Sequence, residues 1–104
     1  MAVKTPIPRT LRVGAKKYSI EVVEAMLEKS RMGNINYDAR KIKVGLKSNI
    51  TGKPFNEVTV METFWHELIH AILEDMGRHT LNSDEKFVKG FAQRLQQAIK
   101  SSRF

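Results

Sequence analysis

The sequence predicts an α+β fold in which an N-terminal antiparallel sheet of about three to four strands is followed by two packed helices. Two observations carry this. The first half holds short stretches of alternating apolar and polar residues, the period-2 signature of half-buried strands. The second half holds two apolar patterns with helical period, separated by Gly77 and the polar run after it. With 104 residues and 41% apolar content the chain has room for one small domain over residues 1–104, with a modest core.

The elements follow in order. Residues 1–9 contain Pro6 and Pro8 and are expected to be a loose lead-in. Residues 11–13 and 17–23 read as a hairpin with Gly14 in the turn, because Tyr18, Ile20 and Val22 alternate with polar neighbours. The stretch 21–29 is ambiguous: Val22 and Val23 favour strand, whereas residues 24–29 suit a helical turn. A second hairpin is expected over 32–37 and 40–44, around Asp38 and Ala39. There Arg40, Lys41 and Lys43 alternate with Ile42 and Val44, as on the solvent face of a strand. Gly45, Asn49, Gly52 and Pro54 mark a loop over 45–55. The first helix is expected over about 56–76, with Asn56 as N-cap and Gly77 as the left-handed stop. The second is expected over about 82–101, with Phe87, Val88, Phe91, Leu95 and Ile99 as its apolar stripe.

Composition narrows the function classes. The absence of cysteine excludes disulfides and thiolate metal sites, and it fits a reducing, cytoplasmic setting. Neither a signal-peptide pattern nor a run of the roughly 18–20 apolar residues of a membrane span occurs. Charge is uneven. Residues 1–50 carry eleven Lys/Arg against four Asp/Glu, and residues 51–104 carry seven of each. A basic half of this kind suits either a solubilising surface or attraction to nucleic acid or an acidic protein. No nucleic-acid-binding motif accompanies it.

The residues with the most specific chemistry are His66-Glu67-Leu68-Ile69-His70, an H-E-x-x-H run inside the first helix. Side chains four apart lie one turn above each other on the same helix face, so His66 and His70 converge on one metal ion. Glu67 sits about 100° around the axis from His66, placed to act as general base on a metal-held water. Accident would produce the pattern in on the order of a few chains per thousand. Thr63, His66, Glu67, His70 and Glu74 share the polar side of the helix, beside an apolar stripe that includes Met61, Phe64, Leu68 and Ala71. Zn²⁺ is the expected cofactor, since the donors are imidazole and carboxylate.

Catalytic zinc sites normally take three protein ligands and a water. The candidates for the third are Glu85, Asp84, His79 and Glu74. Leu73 and Met76 stand where a metzincin would carry Gly and His, which excludes that arrangement. Glu85, at the start of the last helix, returns toward both histidines if the two helices pack antiparallel. An opposing reading makes Asn82-Ser83-Asp84-Glu85 a capping box, with Glu85 folded back onto the Asn82 amide. Asp84 is the reserve ligand.

The span from Glu62 to Ala98 resembles the catalytic region of small gluzincins, closest to ImmA/IrrE-type metallopeptidases and short HExxH proteins of phage and prophage genomes. The resemblance rests on the HExxH run and on Glu85, Val88, Phe91 and Ala92; Lys89 departs from the small or amide side chain often found there. It covers about a third of the chain. It implies a zincin-like fold, Glu85 as the acidic ligand, and peptide-bond hydrolysis. It also implies that the sheet borders the cleft and that an edge strand, here 40–44, holds substrate in extended form.

Together these readings lead to a zinc-dependent metallopeptidase acting on a peptide or protein substrate. His66, His70 and Glu85 are the expected ligands, Glu67 the general base, and Tyr37, His79 or Arg78 the donor to the oxyanion. The alternative is a non-catalytic, metal-stapled binding module whose basic N-terminal half docks nucleic acid or an acidic protein.

Overall fold

The computed structural model describes residues 7–28 and 31–104. The expected lead-in therefore falls outside the described residues up to position 6, as does Lys29 at the end of the ambiguous stretch. Four strands and three helices are formed in the order β1 (Thr10–Val13), β2 (Lys16–Val23), β3 (Gly33–Asn36), β4 (Lys41–Gly45), α1 (Glu57–Asp75), α2 (His79–Asn82) and α3 (Glu85–Ser101). The α+β architecture is the one the alternation and the two helical stripes predict.

Both hairpins form where turn chemistry allows. Gly14 turns β1 into β2 at a φ of +59°, which costs a residue without Cβ little. A side chain there would also collide with Asp75, because a Cβ would lie 2.5 Å from its Oδ2. Between β3 and β4 the Asn36 side chain accepts a bond from the Ala39 amide at 2.9 Å, and Arg40 takes the left-handed φ of 52°. Residues 24–28, part of the ambiguous stretch, form bends and no helix.

The sheet is mixed and not wholly antiparallel. Its order is β1-β2-β4-β3, and β2 pairs β4 in parallel, Ile20 opposite Ile42 and Val22 opposite Val44. The β3–β4 hairpin joins the sheet through its second strand, so β4 becomes central and β3 the edge. This corrects the expected edge at 40–44. The reason lies in burial: Ile42 and Val44 are completely buried, whereas β3 is short and polar, as edge strands commonly are. Tyr18, Ile20, Ile42 and Val44 pack their common face against Val60, Met61 and Phe64 of α1. Several cations of the basic half lie against local carboxylates, Lys16 by Asp75, Lys41 by Glu21 and Lys47 by Glu24.

α1 begins where Asn56 Oδ1 accepts from the Thr59 amide at 2.8 Å, a cap contributing about 1 kcal/mol. It ends at Gly77, which has a φ of +70° and lets the Arg78 amide return to the Leu73 carbonyl. α3 packs along α1 through Val88 and Ala92 against Ile69 and Leu73. The docking stripe is displaced by one residue from the expected one. Val88, Ala92 and Gln96 are buried, while Phe91 and Ile99 are about half exposed. Gln96 is accommodated because its Oε1 accepts the Trp65 indole N–H at 2.7 Å, satisfying two polar groups at once. No helix among the described residues is long and apolar enough to cross a membrane.

One close approach sets the distance between sheet edge and site helix. A Cβ on Gly33 would lie 2.6 Å from Thr63 Cγ2 and 2.8 Å from the Lys43 carbonyl oxygen. Gly33→Ala is therefore expected to push β3 off α1 and to lower stability by about 1–3 kcal/mol, measured as a shift in urea midpoint at unchanged slope.

Candidate metal centre

Two consecutive turns of α1 carry His66 and His70 on the face toward α3. Their Nε2 atoms lie 3.2 Å apart, and Glu85 Oε1 lies 3.0 Å from His70 Nε2 and 3.3 Å from His66 Nε2. These three side chains form the one group of metal-ligating type among the described residues. Tetrahedral coordination with bonds of about 2.0–2.2 Å needs donors roughly 3.3–3.6 Å apart, so the observed triangle is within a few tenths of an ångström of that geometry. Glu85 is 64% exposed, which leaves the triangle open to solvent on one side.

Glu85 arrives there because α3 is capped by the residue before it. Asp84 Oδ1 accepts from the Phe87 amide at 3.1 Å, making Asp84 the N-cap and Glu85 the first helical residue. The capping box beginning at Asn82 does not form, since Asn82 closes the one-turn α2 instead. This frees Glu85 to face the histidines and commits the reserve candidate, Asp84, to the helix end. His79 is turned away: it is 76% exposed and lies 3.8 Å from Glu74. Neither it nor Arg78 lines the cleft.

Asn82 is the residue sequence reasoning missed at this site. Its Oδ1 accepts from His70 Nδ1 at 2.6 Å, and its Nδ2 donates to the Tyr37 hydroxyl at 3.1 Å. With the proton on Nδ1, His70 Nε2 presents a lone pair to the centre. That lone pair faces the carboxylate oxygen of Glu85 and the ring nitrogen of His66. Three such atoms at 3.0–3.3 Å are compatible only with a shared proton on His66 Nε2 or with a cation between them. The donor set thus fits a bound metal ion. The only hint of Asn82 in the sequence is its position directly before Ser83-Asp84-Glu85, which also suits a cap.

The ionisable groups follow from burial. His66 is held below its ordinary pKa, first by burial and then by the His70 charge, with Glu85 opposing. This favours the neutral imidazole a metal requires. Glu67 is only 7% exposed, and it has no hydrogen-bond or ion-pair partner among the described residues. Burial raises its carboxyl to about 7, Glu85 adds to the shift, and His70 and Arg31 oppose it.

Glu67, His66 and His70 open onto a polar cleft of about 370 Å³ whose other walls include Asn34, Ile35 and Tyr37 of the second hairpin. A second hollow of about 460 Å³ adjoins it past His66 and Glu67, bounded by Gly33, Thr63 and Lys89. β3 forms a wall of both. A larger apolar hollow on the outer side of α3, beside Phe87, Phe91 and Leu95, shares no residue with either.

The chain matches no protein-family model, no curated protein and no solved structure.

The arrangement separates the roles of neighbouring residues by experiment. Glu85→Gln is expected to weaken metal binding by at least tenfold, whereas Asp84→Ala costs about 1 kcal/mol of stability and leaves metal affinity nearly unchanged. Asn82→Ala, which removes the partner of His70 and no ligand, is expected to weaken metal binding about 10- to 100-fold. Competition with a chromophoric chelator reads all three.

Proposed function

We propose that this protein is a zinc-dependent peptidase of the small gluzincin type. The observation that carries the reading is the convergence of His66, His70 and Glu85 donors beside a buried Glu67 that has no partner among the described residues. The ligand set of two imidazoles and one carboxylate, open on one side, is of the kind that suits hydrolytic zinc and leaves a coordination position for water. Bound zinc supplies a water whose pKa is lowered to around 7 and a Lewis acid for the scissile carbonyl.

The chain's own residues do the rest. Glu67, one residue from His66 and lining the same cleft, takes the proton of the attacking water and passes it to the leaving amine. Asn82 fixes the His70 ring and at the same time holds the Tyr37 hydroxyl over the cleft. Tyr37 is the donor we assign to the oxyanion, because it alone of the three expected donors lines the cleft. The exposed backbone edge of β3, along the wall of both hollows, supplies ladder partners for an extended peptide. The cytoplasm is the compartment we assign to this activity, on the cysteine-free composition. A basic docking surface for nucleic acid is less well supported, since several N-terminal cations have local acidic neighbours.

Glu67→Gln is expected to keep its zinc and to lose roughly 10²–10⁴ of its rate on casein or a quenched fluorescent peptide library. Wild-type rates from that variant would rule the mechanism out. Tyr37→Phe is expected to lower kcat about 10²–10³ with little change in KM, and a chelator should abolish activity until zinc is restored.

A further inference from the structure

The two hollows on either side of the metal donors differ in charge. On the Tyr37 side, Arg31 shares the walls with Glu28 and Glu85. Past His66 and Glu67, the charged groups are Arg31, Lys89 and Glu62. Lys89 stands on α3 one turn beyond Glu85 and lines the hollow together with His66. It has no ion pair or hydrogen bond among the described residues. Arg31 comes from the opposite wall, just before β3. Its nearest carboxylate is Glu28 at 3.8 Å, with both side chains 58% exposed, an arrangement that contributes little and yields readily to a better partner. Glu62, on α1 one turn before His66, is the surface carboxylate of this hollow and forms no ion pair with Lys89. The hollow therefore holds two cations on facing walls against the surface carboxylate of Glu62 and the buried carboxyl of Glu67, which Glu67→Gln removes.

We propose that this side of the cleft, between Lys89 and Arg31, binds a carboxylate of the substrate peptide. The selected substrates carry an acidic side chain or a free C-terminal carboxylate next to the cleaved bond. The proposal rests on the peptidase reading for the word substrate, but its physical content is a binding preference that exists without turnover. The charge gradient along the groove also sets direction, with the acidic end of the peptide on the Lys89 side and neutral or basic residues toward Tyr37.

The test uses the zinc-supplemented Glu67→Gln protein and calorimetric titration with four peptides. Three are acetyl-Ala-Ala-Ala-Xaa-Ala-Ala-amide with Glu, Gln or Lys at Xaa. The fourth is acetyl-Ala-Ala-Ala-Gln with a free C-terminal carboxylate. At low salt the Glu peptide, the acid-terminated peptide, or both are expected to bind about fivefold tighter than the Gln amide, and which of them does so names the source of the carboxylate. The margin should fall below about twofold in about 0.5 M salt and in the Lys89→Gln background, and Lys89→Glu should turn the preference toward the Lys peptide. Equal affinity for all four peptides, including no measurable binding of any, overturns the proposal. So does a carboxylate preference that persists in Lys89→Gln. Incubating the same peptides with the wild-type protein separates the two readings. A preference without hydrolysis of any peptide upholds the carboxylate site and counts against the peptidase, whereas hydrolysis without preference does the reverse.

Discussion

The side chain of Asn82 joins three pieces of the molecule, α1, α2 and the β3–β4 hairpin, at one point. It sits at the end of α2, receives the His70 ring of α1 at 2.6 Å, and holds the Tyr37 hydroxyl of the β3–β4 hairpin at 3.1 Å. Each bond is a modest one, worth on the order of 1 kcal/mol. Their joint effect is larger in kind, because they set the rotation of the His70 ring and the reach of a cleft hydroxyl from a single amide. The geometry of the donor triangle and the wall opposite it both follow from that amide.

The rest of the fold serves to bring these pieces within range. α1 presents two faces with opposite tasks. Val60, Met61 and Phe64 pack on the sheet, whereas His66, Glu67 and His70 look into the groove beside α3. Gly33 keeps the edge strand close enough that the groove is narrow, and the Asp84 cap starts α3 where Glu85 is aimed inward. Burial then does the electrostatic part. Glu67 sits out of water without a partner among the described residues, and burial raises its carboxyl to about 7.

How much of this was legible in the sequence depends on how local each feature is. The HExxH pair was readable because four residues fix one helical turn, and nothing distant can alter that. Asn56 and Gly77 were readable for the same reason, as chemistry confined to a helix end. Glu85 was half readable: its position after a break suited both a ligand and a cap, and the Asp84 bond to Phe87 removes the second of these. Asn82 was not readable, since its role exists only through Tyr37, 45 residues earlier in the chain. The parallel pairing of β2 with β4 was hidden likewise. Alternation reports which face of a strand is buried, but not which neighbour it takes. The one-residue displacement of the α3 stripe follows from Trp65, whose indole supplies the partner that lets Gln96 go inside while Phe91 stays out.

The placement of Glu85 on a separate helix has a consequence for the chain as a polymer. His70 and Glu85 are 15 positions apart, and α1 and α3 are otherwise joined by the cluster around Ile69, Leu73, Val88 and Ala92 and by the Trp65–Gln96 bond. An ion held by both residues closes that loop as a covalent cross-link would, and a loop of about 15 residues removes on the order of 3 kcal/mol of freedom from the unfolded chain. In a domain of this size that is a sizeable share of the total. With an ion bound, the same three side chains would also clasp the two-helix layer, in a protein without cysteine to do so.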